Sequence, residues 1–297
     1  MRLPHETRLD GVDVAVVGLP FDTGVSFRAG ARFGPKAIRE ASLALRTGYN
    51  PAQRVSVFER LSVVDYGDTA VAPGSSERSY ELMQEKLAKL HAADVVPLVL
   101  GGDHSVLLAE LRAAAQRHGP LAVVDFDAHL DTADAFLGEK YSHGTVMRRA
   151  LEEGLVDAAC STLMGMRGGL DSAHEYEEAR ELGFAVIPWD ELAQLGTGVV
   201  TAAVERAAGK AYLTFDIDFV DQAFAPGAGA PEVGGPSSMQ ALALLRACRG
   251  LDLAGADVVE MLPEADHSRL TATLAATIAY EILTLVACAR PPGPGEA

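Results

Sequence analysis

The 297-residue sequence predicts an α/β fold, a three-layer α/β/α sandwich around a mainly parallel sheet of about eight strands. Short apolar segments rich in β-branched residues alternate along the chain with longer segments of helical periodicity. Several short segments, such as 95–100, are uninterrupted apolar runs, and strands of that kind are buried on both faces, as in a parallel sheet. No linker-like segment or internal repeat divides the sequence, so we expect one domain over residues 1–297.

Eight segments have the length and composition of strands, and each is followed by turn-forming residues or by a helical segment. In such an alternation, consecutive strands run parallel and their crossover helices cover the two faces of the sheet. The predicted strands are residues 12–19, 55–64, 95–100, 121–126, 162–166, 184–188, 211–215 and 256–261.

Helix boundaries are readable at four places. Pro35 precedes a helix predicted over 36–45 and suits its first turn. Ser75 and Ser76 precede a second helix, and a serine side chain there can accept a hydrogen bond from a free backbone N–H. The four predicted helices are 36–45, 77–91, 105–117 and 268–289. A segment rich in Gly and Pro, 225–236, is predicted to be a shaped active-site loop, and the tail 291–297 to be frayed.

The last predicted helix is nearly apolar over 271–289 and long enough to span a membrane. It carries Glu281 in its middle, which favours a buried helix of a soluble α/β domain. We therefore expect no membrane association.

Charge and cysteine content indicate which classes of partner and which cellular compartment to expect. The sequence has 25 Lys and Arg against 41 Asp and Glu, a formal charge of −16, which argues against nucleic acid as a partner. Three widely separated cysteines without a CxxC pair are typical of reduced residues. The first residues contain no apolar signal-peptide core. These features predict a cytoplasmic protein with a small-molecule partner.

Polar clusters follow four of the predicted strands. In open parallel sheets, ligands bind at the edge formed by the carboxyl ends of the strands, so these clusters are expected to meet in one cleft. The clusters are Gly-Gly-Asp-His-Ser at 101–105, Asp-Phe-Asp-Ala-His-Leu-Asp at 125–131, Asp-Ile-Asp at 216–218, and Glu260.

The composition of these clusters indicates a metal site. A single Asp-x-Asp is usually a solvated turn, and Asp125 is interpreted as an ordinary strand-end carboxylate. Buried together, however, so many carboxylates would repel one another strongly without a cation. Carboxylate-rich ligation favours harder ions such as Mn²⁺ over structural zinc, and bridging carboxylates would allow two ions roughly 3.5–4 Å apart. The candidate ligands are His104, Asp127, His129, Asp131, Asp216 and Asp218.

In this order, GGDHS, DAHLD, SHGT (142–145) and FDIDFVD (215–221) resemble the arginase/agmatinase/formimidoylglutamase family, the ureohydrolases. The similarity covers nearly the whole chain. The segments GLPFD (18–22), RAGARFGP (28–35) and 258–263 resemble agmatinases in particular. Any one of these motifs is weak or moderate evidence, whereas the ordered set is highly specific.

The resemblance implies a hydrolase with two Mn²⁺ per subunit that releases urea from a guanidino substrate. It implies that Glu260 binds the guanidinium, that His143 transfers a proton to the leaving amine, and that Asp131 orients the nucleophile. It also implies a homo-oligomer, a trimer or hexamer. The implied ligands are His104, Asp127, Asp131 and Asp216 for the first ion, and His129 and Asp218 with bridging Asp127 and Asp216 for the second.

The substrate is predicted from what the sequence lacks. Arginases resemble one another in having Asn two residues after DAHxD, where this chain has Ala133. That difference favours agmatine, which would give putrescine and urea in polyamine biosynthesis. Guanidinobutyrate or guanidinopropionate is the alternative, with a carboxylate-binding arginine drawn from Arg148, Arg149 and Arg167.

Three positions depart from the agmatinase pattern, and two further hypotheses stay open. The departures are Gln222, Ala228 and Ala230, where agmatinases usually have Pro, Thr and Thr; lost threonine hydroxyls would shift specificity or reduce the rate. A deacetylase of this architecture would hold a single zinc. A metal-binding member without catalytic activity is the third hypothesis.

Overall fold

The computed structural model describes residues 1–291 of the chain. Apart from Pro291, the tail 291–297 for which fraying is predicted lies outside the described residues. Eight strands form one sheet in which every pairing is parallel, in the order β2-β1-β3-β8-β7-β4-β5-β6. The strands are β1 Val14–Gly18, β2 Val63–Asp68, β3 Val96–Leu100, β4 Ala122–Phe126, β5 Thr162–Met164, β6 Ala185–Ile187, β7 Lys210–Phe215 and β8 Asp252–Val258.

Helices connect the strands, and two of the predicted helix starts are confirmed. Pro35 lies in the first turn of the first helix, and the Ser75 side chain accepts the backbone N–H of Arg78 at the start of the third. The α-helices are α1 Gly34–Ser42, α2 Val57–Arg60, α3 Ser76–Ala92, α4 Leu107–His118, α5 Val146–Glu152, α6 Glu175–Glu181, α7 Trp189–Leu195, α8 Thr197–Arg206, α9 Ser238–Arg246 and α10 Leu270–Cys288.

The sheet separates two hydrophobic cores, because successive side chains of a strand point to opposite faces. On β1, Val14 and Val16 pack in one core with helices α1, α7, α8, α9 and α10. Ala15 and Val17 pack in the other core with α3, α4, α5 and α6. The predicted three-layer α/β/α fold is therefore confirmed.

The predicted strand over 55–64 is wrong in its first half. Residues Val57–Arg60 form the helical turn α2, and β2 begins only at Val63. The cause lies before the turn, where the Asn50 side chain accepts the backbone N–H groups of Ala52 and Gln53 and folds the chain back on itself. The predicted strand 256–261 is also misplaced, because β8 spans Asp252–Val258 and Glu260 follows its end.

Helix α10 is long and apolar enough to cross a membrane, yet 83% of its apolar window is buried inside the protein. Its acidic residue, Glu281, is only 3% exposed. The carboxylate accepts hydrogen bonds from Asn50 at 3.1 Å, Gln53 at 2.9 Å and Arg246 at 2.6 Å. As predicted, α10 is a core helix, and Glu281 joins it to two other segments.

Candidate active site and metal centre

The four polar clusters meet at one edge of the sheet. They follow β3, β4, β7 and β8, which are neighbours in the order β3-β8-β7-β4. His104 opens a 3₁₀ turn after β3, and the side chain of Asp103 caps that turn by accepting the N–H of Ser105. Asp127 and Asp216 directly follow β4 and β7. Parallel pairing of four central strands thus brings together residues far apart in the sequence.

The first group of candidate ligands surrounds the Nδ1 atom of His104. This atom lies 2.9 Å from Asp127 Oδ2, 3.0 Å from Asp131 Oδ2 and 3.5 Å from Asp216 Oδ2. All four side chains are buried. One nitrogen and three carboxylate oxygens therefore converge on one point.

The second group surrounds the Nδ1 atom of His129, which lies 3.4 Å from Asp127 Oδ1 and 3.2 Å from Asp218 Oδ2. Asp127 thus presents a different oxygen to each group, as a bridging carboxylate must. Asp216 approaches only the first group, because its Oδ1 accepts the backbone N–H of Asp218. Bridging by Asp216 stays a prediction.

These groups fit a pair of divalent cations. His104 Nδ1 and Asp127 Oδ2 are close to each other, but neither has a hydrogen-bond partner of suitable alignment among the described residues. Buried polar atoms are normally paired, so atoms that converge without hydrogen-bond geometry are typical of ligands around an ion. Each group also contains at least three metal-ligating side chains within coordination range of one another.

The electrostatics of the cluster indicate the same requirement for positive charge. Burial, followed by the neighbouring Asp218, raises the pKa of Asp216 well above its usual value. Burial also raises the pKa of Asp218, to about 6. Burial would raise the pKa of Asp127 too, but the neighbouring imidazoles of His104 and His129 lower it below its usual range. Positive charge among the carboxylates, from protonated histidines or from metal ions, therefore favours their ionised form.

Two site residues have a left-handed backbone. Asp131 has φ 53° and Glu260 has φ 61°, a conformation that costs a non-glycine residue about 1–3 kcal/mol. Backbone hydrogen bonds hold both: the Asp131 carbonyl accepts the N–H of Met147, and the Glu260 N–H donates to Gly102. In this backbone conformation, both carboxylates lie at the cluster.

Glu260 is buried behind the first group. Its Oε1 accepts the backbone N–H of His104 at 2.8 Å and the Nδ1–H of His143 at 2.9 Å. Its Oε2 is buried without a partner among the described residues. A Cβ at Gly229 would lie 2.7 Å from this oxygen, so glycine there leaves room for the carboxylate beside the 225–236 loop. The free oxygen suits a cationic hydrogen-bond donor such as a guanidinium.

His143 is held at both ring nitrogens. Its Nε2 accepts the backbone N–H of Ser26 at 3.0 Å, so the ring proton lies on Nδ1 and is donated to Glu260. Burial lowers the pKa of His143, but the Glu260 carboxylate raises it further, to about 9. The imidazole therefore accepts a second proton readily, and that proton would displace the Ser26 N–H.

Part of this site lines a cavity of about 480 Å³, whereas His104, Asp127 and Glu260 lie behind its wall. His129, Asp131, His143, Asp216 and Asp218 line it together with Ala230, so the 225–236 loop forms part of the wall as predicted. Ala228 lies outside the cavity in the apolar core, and its backbone pairs with Met261. Of the two missing threonine hydroxyls, only the one at position 230 concerns the cavity.

The three arginines proposed from the sequence as carboxylate ligands have different surroundings in the structure. Arg167 lines the cavity, but its guanidinium donates to backbone carbonyls, among them those of Asp218, Phe219 and Glu232. It therefore braces the loop behind the second group and has no donor directed at a substrate carboxylate. Arg149 is buried and paired with Asp134 and Glu152. Arg148 also lines the cavity, and among the described residues its guanidinium is held only by the hydrogen bond from Nε to the Thr132 carbonyl.

Comparison with known proteins agrees with the site. The family model described as the arginase family matches residues 12–284. The chain belongs to the arginase family. It is 41% identical over 288 residues to a protein named agmatinase, mitochondrial, from Gallus gallus, covering 96% of this chain and 84% of that protein. It is 39% identical over 291 residues to guanidinobutyrase from Pseudomonas aeruginosa, covering 96% and 91%.

A solved arginase-family structure has the same fold over nearly its whole length. Proclavaminate amidino hydrolase from Streptomyces clavuligerus is 41% identical, with a TM-score of 0.92, and the match covers 97% of this chain and 96% of that one. The predicted family and enzyme class are thus confirmed: the chain is a guanidino hydrolase of the arginase family. Its relatives differ in substrate, so the family alone does not select one.

Proposed function

We propose that this enzyme hydrolyses agmatine to putrescine and urea and that it uses two Mn²⁺ ions. The observation that carries the choice of substrate is the cavity wall, which includes the carboxylates of Asp171, Glu175 and Glu178 and, among the described lysines and arginines, only Arg148 and Arg167. Carboxylates around the path of a substrate attract the ammonium group of agmatine. The similarity to the Gallus gallus agmatinase supports the same choice.

Manganese is proposed from the donor set. Four carboxylates and two imidazoles favour a hard divalent ion over a thiolate-seeking one. When bound, two such ions lower the pKa of a water molecule and so supply the nucleophile for the guanidino carbon. His104, Asp127, Asp131 and Asp216 would hold the first ion; His129, Asp218 and the shared Asp127 and Asp216 would hold the second.

Glu260 and His143 are proposed to handle the substrate. The unpartnered Oε2 of Glu260 accepts hydrogen bonds from the guanidinium and fixes its plane. Hydrolysis adds water to the guanidino carbon and breaks the bond to the alkyl nitrogen, which leaves as an amine and needs a proton. His143 lines the cavity beside Glu260 and donates that proton. Asp131 accepts a hydrogen bond from the attacking water and orients it.

A guanidino acid is the second candidate substrate, and Arg148 favours it. This side chain lines the cavity, and its Nε donates a hydrogen bond to the Thr132 carbonyl at 3.1 Å. A guanidinium without a carboxylate partner suits the carboxylate of guanidinobutyrate. The similarity to the Pseudomonas aeruginosa guanidinobutyrase supports this alternative.

The test is urea release by manganese-loaded protein with agmatine, guanidinobutyrate, guanidinopropionate and arginine. We expect the highest kcat/KM with agmatine, loss of activity on chelation and recovery when Mn²⁺ is added back. Asp127→Asn is the inactive control. Higher kcat/KM with a guanidino acid would replace agmatine by the second candidate, and no urea from any substrate would overturn the proposal. A cytoplasmic location, expected from the cysteines and the first residues, and a trimeric or hexameric assembly, implied by the family resemblance, belong to the same proposal.

A further inference from the structure

A hydrogen-bonded pair of side chains lies directly beneath His104. Thr214 on β7 and Asp257 on β8 are fully buried near the carboxyl ends of their strands, the edge where the candidate ligands lie. The Nε2 atom of His104 lies 2.8 Å from Thr214 Oγ1, and Thr214 Oγ1 lies 2.8 Å from Asp257 Oδ1. The three groups form an unbranched chain that leads away from the candidate metal centre.

The direction of each hydrogen bond follows from Asp257. Its Oδ1 already accepts the backbone N–H of Phe215 at 3.1 Å, so this oxygen is an acceptor. The Thr214 hydroxyl must then donate its only proton to Asp257. The oxygen of that hydroxyl is left as an acceptor, so His104 donates to it from Nε2.

This hydrogen-bonded chain of His104, Thr214 and Asp257 fixes the tautomer of His104. With its proton on Nε2, the neutral imidazole presents a lone pair at Nδ1, the atom that faces Asp127 and Asp131 at 2.9 and 3.0 Å. In the other tautomer, Nδ1 would carry a hydrogen and could not bind a cation. Partners of this kind orient histidine ligands and raise their affinity for metal.

We propose that Thr214 and Asp257 are positioning residues for the first ion and that they hold His104 ready to bind it. The inference rests on the proposed function only in that divalent cations occupy the cluster. Neither residue touches the substrate cavity: Thr214 and Asp257 are both absent from its wall.

Among the described residues, no such hydrogen-bonded chain leads from the histidine of the second site. The His129 side chain is 36% exposed, compared with 1% for His104, and its Nε2 lies 4.0 Å from Glu232 Oε1, beyond hydrogen-bond distance. The two sites are therefore unequal: Thr214 holds the Nε2 of His104, whereas no hydrogen bond among the described residues holds the Nε2 of His129. Loss of the Thr214 hydroxyl should weaken the first site selectively.

The experiment is calorimetric titration of the full-length, metal-free protein with MnCl₂. We expect Thr214→Val to lower the affinity of one of the two sites by about 10- to 100-fold and to leave the other unchanged. Thr214→Ser keeps the hydroxyl and should restore wild-type affinity. Thr162→Val is the matched control, because Thr162 is also a buried strand threonine, on β5 of the same sheet, and its hydroxyl has no partner among the described residues.

The outcomes separate this inference from the proposed function. Two Mn²⁺ bound by Thr214→Val at wild-type affinity would overturn it, as would equal weakening in Thr162→Val or no rescue by Thr214→Ser. If Thr214→Val does not fold, Asp257→Ala tests the same chain by freeing the Thr214 hydroxyl, and unchanged Mn²⁺ affinity in that variant would overturn the inference equally. Wild-type protein that binds two ions but releases no urea contradicts only the proposed function.

Discussion

The Nδ1 atom of His143 lies 2.9 Å from Oε1 of Glu260, so the proposed proton donor and the proposed guanidinium-binding carboxylate form a hydrogen-bonded pair. The second oxygen of Glu260 stays free, and the second nitrogen of His143 accepts the Ser26 N–H. Binding of the guanidinium and delivery of the proton are thus coupled through one carboxylate. A change to either residue is expected to affect both steps.

Replacing His143 by Ala should lower kcat for urea release by about 10²- to 10⁴-fold, because the leaving amine loses its proton donor. Since His143 belongs to neither ligand group, the variant should still bind two Mn²⁺ per chain. Stopped assays of urea and metal analysis of the same sample measure both quantities. His174→Ala, at an exposed histidine outside the site, is the control. An unchanged kcat, or loss of metal together with activity, would contradict this role.

Replacing Arg148 by Met should change the preference between substrates. The variant removes a positive charge from the cavity wall, so kcat/KM for guanidinobutyrate should fall by about 10- to 100-fold, whereas kcat/KM for agmatine should hold or rise. The control is Arg46→Met, at an exposed arginine outside the cavity. A parallel fall for both substrates would show that Arg148 supports the wall and selects no charge.

Replacing Glu281 by Ala should destabilise the protein by about 3–5 kcal/mol, because Asn50, Gln53 and Arg246 lose a shared buried acceptor. Thermal unfolding followed by circular dichroism measures the effect. Glu205→Ala, at an exposed acid on α8, should change stability by less than about 0.5 kcal/mol. Equal melting temperatures for the two variants would refute the role of Glu281.

His91 should make the protein less stable in mild acid. The side chain is 3% exposed, and burial followed by repulsion from His118 lowers its pKa from 6.5 to about 4. The unfolded chain therefore takes up the proton first as the pH falls, and stability present above pH 6.5 is lost towards pH 4. Between pH 7.5 and 5 we expect about 2 kcal/mol more loss in the wild type than in His91→Leu. Urea unfolding at both pH values measures it; identical losses would contradict the prediction.

The sheet and the ligand set could be predicted from the sequence because both produce patterns among neighbouring residues. Apolar runs mark buried strands, and Asp127, His129 and Asp131 stand at the end of one of them. Residues whose role depends on a distant partner gave no such signal. Thr214 reads as an ordinary strand residue until Asp257, 43 positions away, is placed beside it. Arg167 was proposed as a possible ligand for a substrate carboxylate. Its hydrogen bonds to backbone carbonyls could not be predicted, because they depend on segments distant in the sequence.

Local patterns also misled where a side chain redirects the backbone. The segment 55–64 has strand-like composition, but hydrogen bonds to Asn50 turn the chain before it and leave Val57–Arg60 as a helical turn against α10. Tertiary packing overrides weak β-propensity in such short segments.

The position of β8 between β3 and β7 has a consequence for biosynthesis. This strand is the last of the eight to leave the ribosome, yet it occupies the middle of the sheet. The halves that contain β3 and β7 must therefore stay apart until residues 252–258 have been made and inserted. Glu260 and Asp257 arrive with that strand, so a nascent chain has no complete active site. The order of the strands therefore makes insertion of β8 the step that completes the site.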